Sequence, residues 1–392
     1  MTSLREGNRK RVIDALRVRG VASRADLARL TGLSRSTVST IVGDLVESGL
    51  AGEREAALDD GEVHTGRPPV MVSLNRSAGV ALGIDFGHRH LRVAVSDLSH
   101  TVLAETWCEL DVDHSSKEGL DRAAEFVELV LDEAGAERDH VIGAAMGLPA
   151  PIDSGSVQEH SILPGWVGVD AAGEASDRLG LPVEVENDAN LGALAEYTWG
   201  AAKRRSEVVY LKVSSGIGAG LISGGRLQHG VSGTAGEVGH MVITDGGPVC
   251  RCGNRGCLEA IASSRAVADL LSESRREPVS PTQLLELSDG GDAAAQKLIG
   301  DAGQAIGVAV ASLCNILNPK CVIVGGDLAA AGDVLLEPMR DVVTRMALPS
   351  AAADLELVAA VLGDRAEMLG ALALVMHESD RFDRAVDGVA AA

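Results

Sequence analysis

Residues 79–107, GVALGIDFGHRHLRVAVSDLSHTVLAETW, are the stretch that decides the fold of most of this chain. Short apolar runs separated by turn residues predict two strands joined by a tight turn, followed by a third strand. Residues 208–227, VVYLKVSSGIGAGLISGGRL, repeat the order of strand, glycine turn and strand. A helix is expected over roughly 118–134, a strand within 141–153, and a buried strand with a Gly-Gly turn within 321–328. Two α/β lobes of this kind predict the two-lobed, ribonuclease H-like fold of actin-like ATPases and sugar kinases.

The first 50 residues predict a separate helical head. Apolar residues within 8–18, NRKRVIDALRV, recur at helical spacing, and Gly20 ends that helix. Ser23 and Ser34 are placed to cap a second and a third helix, with a turn at Gly32-Leu33 between them. Two short helices joined by a glycine-containing turn form the helix-turn-helix pattern. The residues expected to be buried are Val12, Ile13, Leu16, Val18, Leu27, Leu30, Val38, Ile41, Leu45 and Val46.

The start of the third helix and the segment after the head helices are the parts expected to contact DNA. The segment 50–75 predicts a β-hairpin wing with strands near 50–54 and at 70–74. Prolines at the end of its tip stiffen an exposed arginine, which suits a narrow minor groove. A helical protein-interaction domain or a capping subdomain is the alternative. The candidate DNA contacts are Arg35, Ser36, Thr37, Ser39 and Thr40 on the helix and Arg67 on the wing.

Charge is distributed unevenly along the chain. The 392 residues carry a net charge of −21, yet residues 1–50 contain nine Lys or Arg against five acidic residues. A basic head on an acidic body is typical of a chain with one nucleic-acid-facing end, although an Arg-rich helical surface without DNA would look the same. The N-terminus has no apolar signal segment, and no apolar run approaches the roughly 18 residues of a membrane span. We therefore expect a cytoplasmic protein without a membrane partner.

These patterns divide the chain into four parts. Residues 1–75 are predicted to form the winged helix-turn-helix domain, and residues 79–200 the first lobe of the body. Residues 201–380 are predicted to form the second lobe, and residues 381–392 a disordered tail.

Four motifs, in a fixed order, carry a resemblance to a known family. They are Glu186-Asn187-Asp188-Ala189-Asn190, Ser215-Gly216-Ile217-Gly218, Gly233-Thr234-Ala235-Gly236-Glu237-Val238-Gly239-His240, and Cys250-Arg251-Cys252-Gly253-Asn254-Arg255-Gly256-Cys257-Leu258-Glu259. With them the chain resembles the ROK family of repressors, open reading frames and sugar kinases, over about residues 8–378. The N-terminal head is similar to that of the family's regulators.

A cluster of metal-ligand residues lies in the last two motifs. Cys250, Cys252 and Cys257 fall within eight residues, and His240 lies ten residues upstream of the first. In a reducing cytosol clustered cysteines are more often metal ligands than disulfides, and one imidazole with three thiolates completes a structural Zn²⁺ shell. The family resemblance implies the same, because this motif is the family's zinc-binding element. The other cysteines, Cys108, Cys314 and Cys321, are expected to be buried apolar packing.

The polar residues of the motifs suggest a sugar site. Carboxylates accept hydrogen bonds from sugar hydroxyls, and several converging on one cleft would bind a hexose. The resemblance implies that Asp188 matches the general base of the family's kinases, and that the others hold the sugar ring; helix capping is the alternative role for Asp188. Family members often carry Asn before Leu-Pro-Gly-Trp, where this chain has Ile162, so one sugar contact is absent or replaced. The candidate sugar ligands are Asn187, Asp188, Glu237, His240 and Glu259.

The first phosphate turn departs from the pattern of active kinases. The family's kinases carry Asp-x-Gly-Gly-Thr, whereas this chain has His88 and Arg89 after Asp85-Phe86-Gly87. Bulky side chains there should obstruct the close approach of ATP phosphates to the backbone. The glycines of the second turn and of the Gly-Gly turn look intact, although they could serve strand geometry alone. The residues of this degenerate nucleotide site are Asp85, Gly87, Gly216, Gly218, Gly325 and Gly326, and ATP with Mg²⁺ is not expected as a cofactor.

The leading hypothesis is a sugar-responsive transcription regulator, expected to be a repressor. Its partners would be operator DNA and a sugar or sugar phosphate, and it would act as a homodimer or homotetramer. One alternative is a bifunctional ATP-dependent hexose kinase with a DNA-binding head and Asp188 as general base. Another is a DNA-binding module without ligand control.

Overall fold

The computed structural model describes residues 4–55, 70–75, 79–153, 155–157, 163–202 and 205–378. Four sequence predictions lie outside what the structure describes: the burial of the Val18 side chain, the wing tip with Arg67, the departure at Ile162, and the tail 381–392.

The described residues of the head form three helices and a small antiparallel sheet, in which strand β3 pairs with both β1 and β2. Ser23 caps the second helix by accepting a hydrogen bond from the backbone N–H of Asp26, and Ser34 caps the third by accepting from Thr37. Gly32 between them adopts the left-handed conformation that the turn requires. The predicted helix-turn-helix is therefore present with both caps. The elements are α1 (Leu4–Arg19), β1 (Val21–Ser23), α2 (Arg24–Thr31), α3 (Arg35–Glu47), β2 (Ala51–Glu55) and β3 (Val70–Leu74).

The core of the head differs from the sequence prediction at two positions. Leu30 is 46% exposed and Val46 is 37% exposed, so the prediction that both are buried is wrong. The covered surface of each helix is a narrow stripe: Leu45, the residue before Val46, is 1% exposed, and Leu27 is the buried apolar residue of α2. Val42, which was not predicted, is fully buried in α3 instead. The predicted core residues that the structure shows buried are Val12, Ile13, Leu16, Leu27, Val38, Ile41 and Leu45.

The first lobe of the body is built on a five-stranded sheet with the order β10-β7-β4-β5-β6. Strands β4, β5 and β6 form an antiparallel meander, and β7 joins β4 in parallel. Helix α4 packs on this sheet with one buried apolar face. Its elements are β4 (Val80–Gly87), β5 (His90–Asp97), β6 (Val102–Glu109), α4 (Ser116–Ala134), β7 (Val141–Leu148), α5 (Ala171–Leu179) and β10 (Val183–Asn187). A two-stranded ribbon, β8 (Ile152–Asp153) and β9 (Ser156–Val157), follows β7.

The second lobe repeats this arrangement with the order β13-β12-β11-β14-β15. Strands β11, β12 and β13 are antiparallel, and β14 and β15 continue the sheet in parallel. Its strands are β11 (Val208–Val213), β12 (Ile217–Ser223), β13 (Arg226–Leu227), β14 (Cys321–Gly325) and β15 (Glu356–Ala359). Its helices are α6 (Asp188–Thr198), α7 (Leu258–Ala262), α8 (Ser264–Arg275), α9 (Pro281–Asp289), α10 (Ala293–Leu317), α11 (Asp333–Met346), α12 (Pro349–Ala352) and α13 (Ala366–Glu378).

Packing divides the chain into two compact units. One contains the described residues within 1–148, 163–185 and 371–378, and therefore the head and most of the first lobe. The other contains residues 149–162 and 186–370. Each lobe thus presents a hairpin-led mixed sheet of the same strand order, which is the two-lobed sugar-kinase-like fold that the sequence predicts.

Helix α10 is the central core helix of the second unit. Among the described residues it alone is long and apolar enough, by length and composition, to cross a bilayer, a test that the core helix of a globular protein also passes. Its apolar residues, including Ile299, Ile306 and Val310, are buried in the core of the lobe. Most of that helix is buried within the protein, as a core helix should be. Cys314 and Cys321 are buried as predicted, but Cys108 is only partly buried because its strand β6 is the edge of its sheet.

The head contacts the first lobe through the turn between β5 and β6. His100 has a left-handed backbone in this turn, and its Nε2 lies 2.5 Å from the carbonyl oxygen of Arg17 in α1. Gly20, which follows α1, lies against the backbone of Ser99, where any side chain would collide with the Ser99 carbonyl. Burial lowers the pKa of His100 to about 4. The neutral ring therefore donates its Nε2–H to the end of α1.

Candidate ligand site and metal centre

The ligand motif of residues 186–190 forms the junction between β10 and α6. The side-chain oxygen of Asn187 caps α6 by accepting from the backbone N–H groups of Ala189 and Asn190, and its Nδ2 donates to the carbonyl of Ala150. Asp188 is the first helical residue, so the N-cap position belongs to Asn187, while Oδ1 of Asp188 also accepts from the backbone N–H of Ala189 at 2.8 Å. The Asp188 carboxylate projects toward the second sheet, where its Oδ2 meets Lys212.

The Glu186 carboxylate holds the junction between β10 and α6 through hydrogen bonds. Its Oε1 accepts hydrogen bonds from the Asn187 backbone N–H at 2.7 Å and from Asn190 Nδ2 at 2.9 Å. Its Oε2 lies 2.6 Å from Nε2 of His229, which belongs to the loop leading into the third motif. Glu186 is 7% exposed. This buried carboxylate therefore ties two of the ligand motifs together.

Three predicted sugar ligands, Asp188, Glu237 and Glu259, form what we call the acid cluster, in which Asp188 and Glu259 lie close enough to act on the charge of Glu237. Burial, and then the carboxylates of Asp188 and Glu259, raise the pKa of Glu237. The Arg251 guanidinium acts in the opposite direction on that pKa. Since these groups come from three separate motifs, the fold brings together residues that are up to 71 positions apart in the sequence. Several acceptors facing one region are what a polyhydroxylated ligand needs.

Two cations that sequence analysis did not single out balance the acid cluster. Nη2 of Arg251 lies 2.5 Å from Oε2 of Glu259, and the backbone N–H of Ile217 donates to the same oxygen at 3.2 Å. Nζ of Lys212 lies 2.8 Å from Oδ2 of Asp188. Arg251 sits between two metal-ligand cysteines, and Lys212 sits in β11. The sequence around Arg251 or Lys212 does not indicate an ion pair, so only the tertiary structure reveals the carboxylate that each one contacts.

The four predicted metal ligands converge. One donor atom from each of His240, Cys250, Cys252 and Cys257 lies within 4.8 Å of the others. His240 Nδ1 is 3.5 Å from Cys250 Sγ, and Cys252 Sγ is 3.7 Å from Cys257 Sγ. A tetrahedral zinc shell with ordinary bond lengths places sulfur atoms about 3.8 Å apart, and nitrogen and sulfur about 3.5 Å apart. The donor set and its spacing therefore fit Zn²⁺.

The electrostatics of the cysteines favour a bound cation. Burial and the neighbouring thiol groups raise the pKa of Cys257 to about 12, whereas the backbone N–H of Asn254 lowers the pKa of Cys252. Several thiolates this close repel one another unless a cation lies between them. A divalent ion would relieve that repulsion. With zinc bound, the residues would hold together the loop 240–257 that separates Glu237 from Glu259.

His240 links the metal centre to the acid cluster. Its Nδ1 faces Cys250, and its Nε2 is 3.8 Å from Oε2 of Glu237. A metal-bound imidazole commonly presents its second nitrogen to a carboxylate, which orients both groups. The predicted double role of His240 thus corresponds to two different ring nitrogens, of which one faces the metal centre and the other faces Glu237.

The first phosphate turn is occupied by side chains of its own lobe. Asp85 is 2% exposed and lies at the end of β4, and its Oδ2 is 2.9 Å from Nε2 of His90. The His90 ring lies against Gly87, where an added Cβ would come within 2.1 Å of it. His88 turns away and pairs with Asp113 at 2.6 Å. The ring that lies beside Gly87 is therefore that of His90, and the obstruction of ATP phosphates by His88 and Arg89 stays a prediction.

The remaining candidate nucleotide residues lie in the second lobe. Gly216 lies in the turn between β11 and β12, and Gly218 is the second residue of β12. Gly325 is the last residue of β14, and Gly326 follows it. A Cβ at Gly325 would lie 2.3 Å from the hydroxyl of the buried Tyr210. Close packing against Tyr210 alone thus requires glycine at this position, which supports the alternative that these glycines serve strand geometry.

The predicted DNA contacts on the head lie together at the N-terminal end of α3. Arg35, Ser36, Ser39 and Thr40 are exposed, and Thr37 is half-buried. The Ser34 hydroxyl lies 2.9 Å from that of Ser36 and 2.8 Å from that of Thr37. Free backbone N–H groups and the positive end of the helix dipole make such a helix start suitable for phosphate.

Comparisons with known proteins agree with this architecture. The sequence profile of the ROK family matches residues 81–378, and a winged helix-turn-helix DNA-binding profile matches residues 5–50. The xylose repressor of Bacillus spizizenii is 30% identical over 376 residues, which cover 96% of this chain and 96% of the repressor. The glucokinase of Thermotoga maritima is 32% identical over 310 residues, covering 75% of this chain and 96% of the glucokinase.

A solved structure extends the likeness to the whole chain. The crystal structure of a ROK family transcriptional regulator, a homologue of the Escherichia coli Mlc protein, superimposes with a TM-score of 0.77 at 27% identity. The match covers 97% of this chain and 100% of that regulator. The regulators therefore match both the head and the body, whereas the glucokinase covers a shorter part of this chain.

Proposed function

Because the chain belongs to the ROK family and carries a winged helix-turn-helix head, we propose that it is a sugar-responsive DNA-binding transcription repressor. The observation that carries this proposal is the combination, in one chain, of an exposed polar helix start on the head and an acid cluster in the body. Relatives that match over nearly the full length include a xylose repressor, the DNA-binding transcriptional repressor Mlc and a ROK family transcriptional regulator. A bacterial repressor works in the cytoplasm, where the chromosome is.

The head supplies the DNA contacts. Helix α3 enters the major groove with Arg35 at its exposed N-terminal end, and the hydroxyl groups beside it contact base edges or phosphates. Arg24 forms an ion pair with Glu53 and Arg29 with Asp26, so these two arginines contribute less than Arg35 to DNA binding. The acidic body repels DNA elsewhere and confines binding to the head. Two chains form a dimer that places two heads on a two-fold operator.

The acid cluster binds the effector. Carboxylates accept hydrogen bonds from ring hydroxyls, and Asp188, Glu237 and Glu259 together supply several acceptors. Among the described charged groups at this site, carboxylates outnumber cations. The two cations, Lys212 and Arg251, are each paired with a carboxylate of the acid cluster. That balance favours an uncharged sugar over a sugar phosphate, because a phosphate would meet net negative charge at short range.

Zinc at the metal centre is structural. The ligand shell of one histidine and three cysteines is closed, which leaves no position for substrate. The ion holds the loop between Glu237 and Glu259, and its ligand His240 also faces Glu237. Loss of zinc is therefore expected to weaken sugar binding as well as stability.

The body does not act as a kinase. Phosphoryl transfer depends on positioning the phosphates, and the His90 ring occupies the space beside Gly87 that a backbone–phosphate contact would need. The alternative is a bifunctional hexose kinase, in which Asp188 would deprotonate the sugar. An assay for sugar phosphate formation separates the two functions.

Thermal unfolding of the full-length, zinc-loaded protein tests this function. Each sugar of a panel of hexoses and pentoses is added alone, as its phosphate ester, and together with Mg²⁺ and ATP. A bound ligand raises the melting temperature by mass action. We expect one free sugar to do so, ATP to add nothing, and no sugar phosphate to form in a coupled assay. Glu237→Gln, which removes one acceptor charge, should abolish the shift. ATP-dependent phosphorylation that is lost in Asp188→Asn would establish the kinase instead, and the absence of a shift with every sugar would contradict ligand control.

A further inference from the structure

Lys212 lies at the point where the two glycine turns of the second lobe meet. In the sheet it pairs with Gly218 of β12 on one side and with Gly325 of β14 on the other. Glycine neighbours leave room around its side chain, which extends to the acid cluster. A lysine on the central strand of a buried sheet is unusual, because burial of an ammonium group is unfavourable unless carboxylates compensate it.

Two carboxylates compensate the ammonium group. Nζ of Lys212 is 2.8 Å from Oδ2 of Asp188 and 2.8 Å from Oε1 of Glu367. The side chains of Lys212, Asp188 and Glu367 are 18%, 13% and 9% exposed. Asp188 begins α6 and Glu367 lies in the first turn of α13, so both carboxylates also sit at positive helix ends. We call these three residues the lysine bridge.

The lysine bridge holds two carboxylates close together. Since both oxygens contact one Nζ atom at 2.8 Å, they are at most about 5.6 Å apart. Two anions at that separation in a half-buried site repel each other strongly unless a cation lies between them. Carboxylate oxygens are also the ligands that hard divalent cations such as Mg²⁺ and Mn²⁺ prefer. Without the lysine, this place would attract such an ion.

We propose that Lys212 is a built-in cation, which takes the place of a divalent ion between Asp188 and Glu367 and makes the ligand site independent of such metals. The inference rests on the proposed function, because it concerns the site that binds the sugar. It also explains how Asp188 is held: Lys212 engages its Oδ2, and the backbone N–H of Ala189 lies 2.8 Å from its Oδ1. Asp188 is thereby positioned as a hydrogen-bond acceptor for a hydroxyl group.

The test is Mn²⁺ binding to the full-length, zinc-loaded chain, measured by electron paramagnetic resonance of free Mn²⁺. Lys212→Met should create one Mn²⁺ site per chain with a dissociation constant of about 1 mM or below. The native chain should lack this site. Lys297→Met should lack it too; that matched control removes the same charge from an exposed lysine of α10 that pairs only with Asp301 among the described contacts. Adding Glu367→Gln to Lys212→Met should abolish the new site.

If Lys212→Met binds no more Mn²⁺ than the native chain, the proposal is overturned. Should that variant fail to fold, the double variant Lys212→Met with Glu367→Gln is expected to fold, because it removes the cation and one of the two anions together. The native chain gives a second readout: 10 mM Mg²⁺ should change the affinity of a bound sugar by less than about twofold. A sugar that binds only with Mg²⁺ present would overturn the built-in cation but leave the repressor function standing. A chain that binds no sugar would contradict the repressor function, while the Mn²⁺ result would still decide the role of Lys212.

Discussion

The contact between His100 and α1 makes the attachment of the head to the first lobe sensitive to pH. Burial against the head lowers the pKa of His100 from 6.5 to about 4, although its contact with the Arg17 carbonyl and the charge of Asp97 act in the opposite direction. The folded chain therefore holds the ring neutral. As the pH falls below 6.5, the unfolded chain takes up a proton at this residue before the folded chain does. Stability is thus lost between pH 6.5 and 4, with no further loss from this residue below pH 4.

The magnitude follows from the size of the shift. A difference between 6.5 and about 4 corresponds to at most about 3 kcal/mol once both states are protonated. At pH 5 about 2 kcal/mol of this is already lost relative to pH 7.5, because the unfolded chain is then almost fully protonated and the folded chain is not.

The assay compares the native chain with His100→Asn. Asparagine tolerates the left-handed backbone at this position and does not titrate. Urea unfolding, followed by the fluorescence of Trp107 and Trp166 in the first lobe, gives the free energy of unfolding at pH 7.5 and at pH 5. Proton uptake by the zinc ligands and by all other groups affects both proteins alike. The native chain should be more stable than the variant at pH 7.5, and that advantage should shrink by about 2 kcal/mol at pH 5.

Two results would refute the reasoning. One is an advantage over His100→Asn that stays constant, within about 0.5 kcal/mol, between the two pH values. The other is a His100 ring that titrates near 6.5 in the folded protein when followed by nuclear magnetic resonance.

Three further predictions concern the second lobe, the head and the metal centre. Gly325→Ala should destabilise the second lobe by about 1–3 kcal/mol in urea unfolding, because its Cβ would collide with the Tyr210 hydroxyl; Gly300→Ala in α10, whose Cβ would meet only ordinary contacts, should not destabilise it. Arg35→Ala should weaken operator binding about 5- to 150-fold in fluorescence anisotropy while leaving the sugar-induced melting shift intact, and an unchanged affinity would remove Arg35 from the DNA interface. Cys252→Ser should lower the zinc content below one ion per chain in atomic absorption and reduce the sugar-induced shift, whereas full zinc content would show that this cysteine is not a ligand.

Sequence-local features of the fold could be predicted to within a few residues. The caps Ser23 and Ser34 act on N–H groups three residues away, so their pattern is visible in the sequence alone. The strand β3 was predicted at its observed limits, because apolar alternation and turn residues mark both of its ends. The three residues of β1 were missed, since they form a strand only by pairing with β3 about 50 residues later. The burial of Leu30 and Val46 was predicted wrongly because helical spacing alone does not show how wide the covered stripe of a helix is.

The candidate site divides in the same way. The metal ligands are recognisable because cysteine clusters have few other roles in a reducing compartment, and the structure brings all four together. Lys212 and His90 could not be found, since each acquires its role from a carboxylate that tertiary structure places beside it. No sequence motif marks a lysine at position 212 or a histidine at position 90. Their partners Asp188 and Asp85 were predicted, but the sequence does not say which cation each one meets.

Operator affinity with and without the effector tests the central claim most directly. Fluorescence anisotropy of the full-length protein on its operator, selected from genomic fragments, would be measured while titrating the sugar that raises the melting temperature. A repressor of the proposed kind binds the operator in the absence of sugar and loses affinity at saturation by a factor of about 5 to 150, with no dependence on ATP or Mg²⁺. An operator affinity that does not change while that sugar demonstrably occupies the body would contradict the account.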